Sequence, residues 1–570
     1  MTERWFLRRG EPALETLLQK ELGVSPLLSR LLVQRGYTTV EAAGAFLNPR
    51  LRDGLRSPFL FRDMDKAVER VRRAIARKET VALYGDYDLD GVSGTAVLYC
   101  FFRDLGLDPI VHVPDRLREG YGLNSEAIRA LHARGASLLI TVDCGAANEE
   151  EIRFAQSLKM ETIVCDHHQV PPRPLPAFAT LNPAAPDCGF PFAGLCGAGI
   201  AFYLAWGVRG RLREDGKAAP PSLRELLDLV TLGTIADIMP LEQENRVLVR
   251  HGLDALARGH RVGIAALKSI ARIEHVNSAA VSFRLAPRLN SSGRLTSALV
   301  SFNLLTTEDA DRAIELAKCL DATNRERQAL ESATLQEALA LCRNDPRCSE
   351  RAAIVLASST WHPGVVGIVA ARLVQRFKRP AALIAIDPES EVGRGSVRGI
   401  AGVNCYRALA DCASHLLGFG GHPMAAGFTI AAEKISDFAS NFDEAVQAQL
   451  PQSRVLPIYA DAEVNLSEFD PGSVTEALCA LEPFGPANPE PVFFARNVRL
   501  RSSRPFGTGH LSLFIEQNGR AFPARWFQWG HEPPPPSDTA YDVLFTCDLG
   551  GGSTAGPLQL RLVGIRPTRH

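Results

Sequence analysis

Short apolar runs alternate with longer amphipathic stretches between residues 63 and 305. Segments 64–78 and 94–105 repeat their apolar positions with the periodicity of helices. Three intervening runs are typical of strands buried on both faces: TVALYG (80–85), SLLITVD (137–143) and ETIVC (161–165). Strands that alternate with helices predict a parallel sheet covered by helices on both faces.

The pattern changes beyond the third run. Residues 169–195 are rich in Pro and Gly and predict a loop, whereas 223–235 predict a helix that leads into Asp237. Residues 306–345 predict one continuous helix with Thr307 as its N-cap. Such a helix would reach about 58 Å at about 1.5 Å per residue, which predicts a spacer between two domains.

Two further patterns follow the long helix. Residues 350–450 return to strand, helix and strand, and predict a second α/β domain. After about residue 456, short alternating segments separated by Gly and Pro predict a small all-β barrel. The fold class is therefore multidomain α/β with a C-terminal barrel. The predicted divisions are 1–45, 46–305, 306–346, 347–452 and 453–570.

Composition narrows the class of protein. A chain of 570 residues with 46% hydrophobic and 22% charged residues is typical of several folded, soluble domains. The N-terminus lacks the apolar core of a signal peptide, and no run approaches the roughly 20 apolar residues that span a bilayer, so we expect a cytoplasmic protein. The 12 cysteines are scattered and none forms a CxxC pair, which favours free thiols. The net charge of −1 excludes binding of nucleic acid through overall charge, but allows a local basic channel.

Acidic and imidazole side chains follow each predicted strand. The run Asp86-Tyr87-Asp88-Leu89-Asp90 follows the first strand, Asp143 ends the second, and Asp166-His167-His168 follows the third. Open α/β sheets place their sites beyond the carboxyl ends of strands, so we expect these side chains to converge. Asp237 ends an apolar helix, where a carboxylate is costly unless it is paired or liganded.

This set of side chains indicates a metal centre. Its ligands are rich in oxygen, contain few nitrogens and include no thiolate, which favours Mg²⁺ or Mn²⁺ over structural zinc. There are enough ligands for two ions, and an ion pair about 3.5–4 Å apart suits phosphoryl displacement. The chain contains neither a Ser-His-Asp order nor the glycine motif of a P-loop, which disfavours a nucleotide-powered motor. From the ligand set we predict a metal-dependent phosphodiesterase.

Four motifs resemble a known superfamily. GDYDLDG, TVDCG, CDHH and GTIAD are similar, in order and spacing, to the motifs of the DHH phosphoesterases. Five further segments resemble the RecJ family of bacterial single-strand-specific exonucleases within it: HVPDRLREGYGLN (112–124), LAPRLNSSGRL (285–295), WHPGVVGIVAARL (361–373), GFGGHPMAAGF (418–428) and PFGPANPEPVF (483–493). The resemblance covers nearly the whole chain.

The resemblance implies a fold and an activity. It implies a parallel-sheet DHH domain, a long connecting helix, an α/β DHH-associated domain and an oligonucleotide-binding barrel. The implied activity is 5′→3′ exonuclease digestion of single-stranded DNA to 5′-mononucleotides by two-metal hydrolysis, in DNA repair and recombination. It further implies a monomer with two Mn²⁺ or Mg²⁺ ions, and single-strand binding protein and a RecQ-type helicase as partners.

The resemblance also assigns roles within the metal centre. The implied metal ligands are Asp88, Asp90, Asp143, His167 and Asp237, with Asp143 as the bridging carboxylate. The resemblance places Asp86 and His168 beside the ions.

The resemblance also implies catalytic roles for two side chains of the CDHH motif. His168 would contact the scissile phosphate, and Asp166 would orient a histidine. Together with Asp86 and Asp143, they form the predicted catalytic set.

Substrate binding is assigned to other motifs. Arg116 and Arg294 suit bidentate phosphate contact. By resemblance, Ser396 and Arg398 would bind the 5′ end, and His422 would approach the substrate backbone. Two segments depart from the family pattern: GSVRG stands at 395–399 where the family has GSGRS, and NSSGR stands at 290–294 where it has NAAGR. Some barrel aromatic residues could stack bases and others would form the core: Phe493, Phe494, Phe514, Trp526 and Phe527.

Two alternatives remain open from the sequence. One is a DHH phosphodiesterase of short oligonucleotides or cyclic dinucleotides, which would need no terminal barrel. The other is a catalytically inactive DHH scaffold in a replication complex, which would have lost metal ligands. The filled acidic positions and the segment after 455 favour the exonuclease.

Overall fold

The computed structural model describes residues 4–116, 118–171, 173–216, 222–345, 347–450, 457–507, 509–530, 533–549 and 558–568. The chain forms two compact units. One comprises the described residues within 294–296 and 319–450, and the other those within 4–293, 297–318 and 457–568.

A parallel sheet positions the acidic motifs. Among the described residues its five strands lie in the order Ile110–His112, Thr80–Gly85, Ala136–Val142, Glu161–Cys165 and Ala179–Leu181. The three long strands are almost wholly buried, as their apolar sequences predicted. The loop prediction for 169–195 is wrong at Ala179–Leu181, because a three-residue strand is too short to produce a periodic pattern.

Helices cover this sheet, and further helices follow it in the chain. The helices that precede Asp237 are Met64–Arg77, Leu89–Asp104, Ser125–Ala133, Glu149–Ser157, Gly197–Glu214 and Leu227–Ala236. Those that follow are Gln243–Arg258, Val262–Ile270, Ser278–Ala280, Ala286–Leu295 and Leu299–Thr306, with a π-helical turn at Val281–Leu285. Short 3₁₀ turns lie at Pro58–Leu60 and Leu223–Leu226.

The helix after the first strand begins at Leu89, five residues before the predicted start. Asp88 caps it, because its carboxylate accepts the backbone N–H groups of Asp90 (2.9 Å) and Gly91 (3.2 Å). Gly91 and Gly94 hid this start, since glycine is a poor helix former. Asp90 therefore lies in the first turn of a helix and not in the preceding loop.

The N-terminal segment contains the helices Pro12–Leu22, Pro26–Gln34 and Val40–Leu47. It also contains the strand Arg4–Leu7, which pairs in parallel with Pro457–Ala460. Leu18, Leu28 and Leu31 pack with Ala477 and Leu481 of a distant helix in one core.

The C-terminal region forms the predicted barrel. Its strands are Ala462–Glu463, Phe493–Phe506, His510–Gln517, Arg520–Trp526, Ala540–Leu549 and Leu558–Pro567, with the helix Pro471–Leu481. Phe493–Phe506 pairs with both His510–Gln517 and Ala540–Leu549, and this double pairing closes the barrel.

The long helix runs continuously from Ala310 to Asn344, about 52 Å at about 1.5 Å per residue. The N-cap prediction is wrong. Asp309, rather than Thr307, accepts the N–H groups of Asp311 and Arg312 at 2.9 and 3.1 Å. An aspartate at this position is as good a cap as a threonine, so the sequence did not discriminate between them.

The other unit contains a mixed sheet. Its strands among the described residues lie in the order Leu416–Gly421, Ala425–Ala431, Val392–Arg398, Ala381–Asp387 and Ile354–Ser358. The last two are parallel and the remaining pairs are antiparallel. Its helices are Arg347–Glu350, Pro363–Phe377, Cys405–Asp411 and Ile435–Gln449, with 3₁₀ turns at Ala413–His415 and Ala432–Lys434.

Two negative findings concern the described residues. None of their helices combines the length and the hydrophobicity needed to cross a bilayer. The 12 cysteines all lie in the described part of the chain and all are free thiols, as predicted.

Candidate metal centre

The predicted acidic and imidazole side chains converge at the carboxyl edge of the parallel sheet. Three groups each bring their candidate ligand atoms within 4.8 Å of one another: Asp86, Asp88 and Asp143; Asp90, His167 and Asp237; and Asp143, His167 and His168. Asp143 and His167 each belong to two groups. We call these seven residues the acidic cluster.

His167 lies at the middle of the acidic cluster. Its Nε2 is 3.0 Å from Asp143 Oδ1, 3.5 Å from Asp237 Oδ2 and 3.9 Å from Asp90 Oδ2. Burial lowers the pKa of His167, although the neighbouring Asp90 opposes this effect. A neutral imidazole is the form that binds a metal ion.

The first residues of one helix hold the carboxylate of Asp90. Its two oxygens accept the N–H groups of Gly197 (2.6 Å) and Ala198 (3.0 Å), which begin the helix Gly197–Glu214. Positive helix N-termini stabilise a carboxylate in this position. A Cβ on Gly197 would lie 2.6 Å from Asp143 Cβ, so glycine is needed for this close approach.

Asp143 has a left-handed backbone. Its φ is 62°, and its residue surface is 2% exposed. Aspartate tolerates this conformation better than most residues, because its short polar side chain can bond locally. The conformation turns the chain sharply after strand Ala136–Val142 and places the carboxylate between two groups of ligands.

Four carboxylates of the acidic cluster are costly to ionise without a cation. Burial, followed by repulsion from neighbouring carboxylates, raises the pKa values of Asp86 and Asp143. Burial also raises the pKa of Asp90, although the charge of His167 opposes this effect. Burial and the same repulsion raise the pKa of Asp237 to about 8. Divalent cations would remove this repulsion.

One carboxylate oxygen without a hydrogen-bond partner shows that such ions fit the site. Asp86 Oδ1 is buried and has no hydrogen-bond partner among the described residues. A buried carboxylate oxygen without a donor is destabilising unless a cation meets it. The donor set is rich in oxygen, and the residues therefore fit Mg²⁺ or Mn²⁺. Resemblance placed Asp86 only beside the ions, whereas its geometry makes it a further candidate ligand.

Asp166 and His168 form a second, hydrogen-bonded pair. Asp166 accepts the backbone N–H groups of Ala146, His167 and His168, and the His168 Nδ1–H group lies 2.7 Å from its Oδ1. Burial opposes protonation of His168, but the hydrogen bond and charge of Asp166 outweigh it and raise the pKa of His168 to about 9. The pair with Asp166 therefore favours the protonated form of His168 at neutral pH.

Sequence reasoning missed Tyr121. Its hydroxyl lies 3.1 Å from His168 Nδ1, and its residue surface is 52% exposed. Burial of the hydroxyl, followed by the charges of Asp166 and Asp143, raises the pKa of Tyr121. The available signal was its place in the segment HVPDRLREGYGLN, five residues after Arg116.

Two further contacts surround the acidic cluster. The Arg116 guanidinium lies 5.1 Å from the centroid of the Tyr87 ring, next to Asp86 in sequence. Asn290 Oδ1 accepts the N–H group of Leu89 at 2.8 Å, and Gly293 packs directly on the Tyr87 carbonyl. The NSSGR segment thus supports the acidic loop.

The remaining predicted substrate residues lie in the unit with the mixed sheet. Arg398 donates to Ser396 Oγ at 2.8 Å on strand Val392–Arg398. Arg398 is paired with Ala425, three residues after His422. Arg294 donates to the Gly364 carbonyl at 3.3 Å. The structure therefore brings Ser396, Arg398 and His422 into one neighbourhood.

The barrel aromatic residues separate into two classes. Phe493 and Phe494 are 1% and 6% exposed and belong to the core. Phe514 and Phe527 are 44% and 42% exposed. Trp526 is partly buried against the barrel core.

Family models match three parts of the chain. The DHH family N-terminal domain matches residues 80–234, the DHHA1 domain matches 350–448, and the RecJ OB domain matches 460–562. Fold and acidic cluster thus define a metal-dependent phosphoesterase of the DHH class.

Whole-chain comparisons narrow this class. A single-stranded-DNA-specific exonuclease RecJ of Bacillus subtilis is 38% identical over 517 residues, which are 90% of this chain and 64% of that relative. The RecJ of Dickeya dadantii is 37% identical over 529 residues, which are 90% of each chain. The chain belongs to the RecJ family of single-stranded-DNA-specific exonucleases. It spans less than two thirds of the Bacillus relative.

A solved structure agrees with the fold. The crystal structure of RecJ from Thermus thermophilus in complex with Mn²⁺ has a TM-score of 0.83 at 29% identity, and covers 100% of this chain and 80% of that one. A structure of the same protein in complex with Mg²⁺ has a TM-score of 0.77 at 28% identity, with 100% and 79% coverage. Both ions match the preference of the oxygen-rich acidic cluster.

Proposed function

We propose that this chain degrades single-stranded DNA from its 5′ end and releases 5′-mononucleotides. The observation that carries the proposal is the acidic cluster, in which Asp143 joins two groups of ligands, within a chain that also has an oligonucleotide-binding barrel. A two-ion centre suits phosphodiester hydrolysis, and the barrel suits a polymer.

The ligand set divides around Asp143. Asp90, His167 and Asp237 would hold one ion, and Asp86 and Asp88 the other, with Asp143 as the bridge. When bound, two such ions lower the pKa of water and offset the charge that develops on the phosphate.

His168 supplies a positive hydrogen-bond donor beside this centre. Asp166 keeps it protonated and fixes the orientation of its ring. Since Nδ1 faces Asp166, Nε2 is the atom that can donate to a non-bridging phosphate oxygen. Tyr121 contacts the same ring and limits its rotation.

Phosphates of the strand other than the scissile one have their own predicted contacts. Arg116 would bind one near the acidic cluster, where it also stacks on Tyr87. Ser396 and Arg398 would bind the 5′ phosphate, His422 would approach the substrate backbone, and Arg294 would bind a phosphate. Planar guanidinium groups suit these contacts, because they donate two parallel hydrogen bonds.

The barrel favours a long substrate over a dinucleotide. Phe514 and Phe527 expose ring surface on which bases could stack, and Arg525 lies 5.7 Å from the Phe506 ring centroid next to Phe527. Stacking tolerates any base, which suits digestion of a strand regardless of its sequence.

The family supplies the cellular setting of the proposal. We place the enzyme in the cytoplasm as a monomer that acts in DNA repair and recombination. Single-strand binding protein and a RecQ-type helicase are the proposed partners. The proposed domains are 46–305, 347–452 and 453–570, joined by the helix region 306–346 and preceded by 1–45.

A comparison of two substrates tests the proposal. A 5′-phosphorylated single strand of about 40 nucleotides and a dinucleotide are each incubated with enzyme and Mn²⁺. We expect higher kcat/KM for the long strand. Preference for the dinucleotide would support the short-substrate alternative, and absence of Mn²⁺ binding together with absence of cleavage would support the inactive scaffold.

A further inference from the structure

The helix Leu227–Ala236 ends in a Schellman motif that contains an isoleucine where glycine is usual. The Ile238 N–H group donates to the Ile235 carbonyl at 3.2 Å, and the Met239 N–H group donates to the Thr234 carbonyl at 3.1 Å. These two bonds define the motif, and its residue after the cap adopts a left-handed backbone. Ile238 has a φ of 57°. A β-branched residue in that conformation is strained.

Packing within the chain does not account for this isoleucine. Its residue surface is 71% exposed, second only to Phe283 among the large hydrophobic residues that the structure describes. In the stretch 226–240, which the structure describes fully, every other residue is buried or half-buried. Glycine would satisfy the backbone and leave no apolar side chain in water.

The position of Ile238 indicates what covers it. It directly follows Asp237, whose carboxylate lies 3.5 Å from His167 Nε2 in the acidic cluster. A phosphate held at the acidic cluster carries a sugar and a base, and the base is the large apolar surface next to that phosphate. We infer that Ile238 packs against the nucleobase of a terminal nucleotide and positions it for cleavage.

This inference rests on the proposed function and adds a positioning residue to it. Ile238 touches no reacting atom. Its contact is independent of base identity, because an aliphatic side chain packs on any base face. Strain at functional sites is common where the strained group acts on a ligand.

Kinetics and stability together test the inference. The variants are Ile238→Gly, Ile238→Val and Ile238→Asn, assayed on a short 5′-phosphorylated single strand with Mn²⁺. Ile238→Gly should raise the thermal unfolding midpoint by about 1–3 °C, because it removes the strain. It should also raise KM about threefold to tenfold with little change in kcat, because it removes an apolar contact.

The two other variants separate apolar contact from backbone strain. Ile238→Val keeps a branched apolar side chain and should retain the wild-type KM. Ile238→Asn tolerates the left-handed backbone but is polar, so its KM should rise as in Ile238→Gly. Lys78→Gly is the matched control, because Lys78 has a φ of 52° after the helix Met64–Arg77, outside the acidic cluster. It should raise the unfolding midpoint and leave KM unchanged.

An abasic substrate identifies the contacted group. The same strand without bases at its first two nucleotides should raise the wild-type KM and abolish the difference between wild type and Ile238→Gly. An unchanged KM in Ile238→Gly, a fall in kcat alone, or an equal difference on both substrates would overturn the inference. Failure of the wild-type protein to cleave the normal strand would instead overturn the proposed function.

Discussion

His167 Nε2 lies 3.0 Å from Asp143 Oδ1, although the two residues follow different strands of the parallel sheet. Asp143 reaches this position through a left-handed backbone, and burial lowers the pKa of His167. The pair joins the two groups of candidate ligands. The proposed two-ion catalysis depends on this junction more than on any other contact.

Replacement of Asp143 tests the junction. Asp143→Ala should lower kcat at least about 10³-fold, because both ions lose a shared ligand. Affinity for single-stranded DNA, measured by fluorescence anisotropy without cleavage, should stay within about threefold of wild type.

Two further variants control for folding. Asp143→Asn accommodates the left-handed backbone and should lose activity as Asp143→Ala does. Asp108→Ala removes an exposed carboxylate elsewhere in the same unit and should behave as wild type. Near-wild-type cleavage by Asp143→Asn would refute the bridging role.

Asp166 controls the charge of His168. Asp166→Asn removes the negative partner, so we expect kcat to fall about 10- to 100-fold. Protonated His168 is present below its pKa of about 9 and is lost as the pH rises through that value. The alkaline limb of kcat against pH should therefore move to lower pH in the variant. An unmoved limb would assign that limb to another group.

Metal affinity should rise with pH. The pKa of Asp237 is raised to about 8, so this carboxyl is protonated at pH 6 and ionised above pH 8 when no ion is bound. A metal ion must displace that proton, so calorimetric titration with Mn²⁺ should give tighter binding and less proton release at pH 8.5 than at pH 6.5. Asp237→Asn should flatten this dependence, and EDTA should abolish cleavage.

Recognition of the 5′ phosphate is predicted for Arg398. Arg398→Ala should reduce the ratio of kcat/KM for phosphorylated over unphosphorylated 5′ ends about 10-fold, because a charge-assisted contact is lost. Arg407→Ala, which removes an exposed arginine of the same unit, should leave the ratio unchanged. If Arg398→Ala keeps the wild-type ratio, Arg116 or Arg294 becomes the better candidate.

The strands and the carboxylates that follow them were predictable from the sequence, because runs of apolar residues and their periodicity are local properties of the chain. It did not predict strand Arg4–Leu7, because its partner Pro457–Ala460 lies about 450 residues away. It did not reveal that Gly197 and Ala198 hold Asp90, because this contact depends on how two helices cross. The orphaned oxygen of Asp86 and the hydroxyl of Tyr121 likewise became visible only in three dimensions.

Product analysis of end-labelled DNA tests the central claim most directly. Single- and double-stranded oligonucleotides, labelled at the 5′ or the 3′ end, are digested with Mn²⁺ or Mg²⁺ and resolved at short times. We predict that the 5′ label appears at once as a mononucleotide from the single strand, whereas the 3′ label passes through progressively shorter fragments, and that the duplex is spared. Immediate release of a 3′-terminal mononucleotide, internal cleavage, or equal digestion of the duplex would contradict the account.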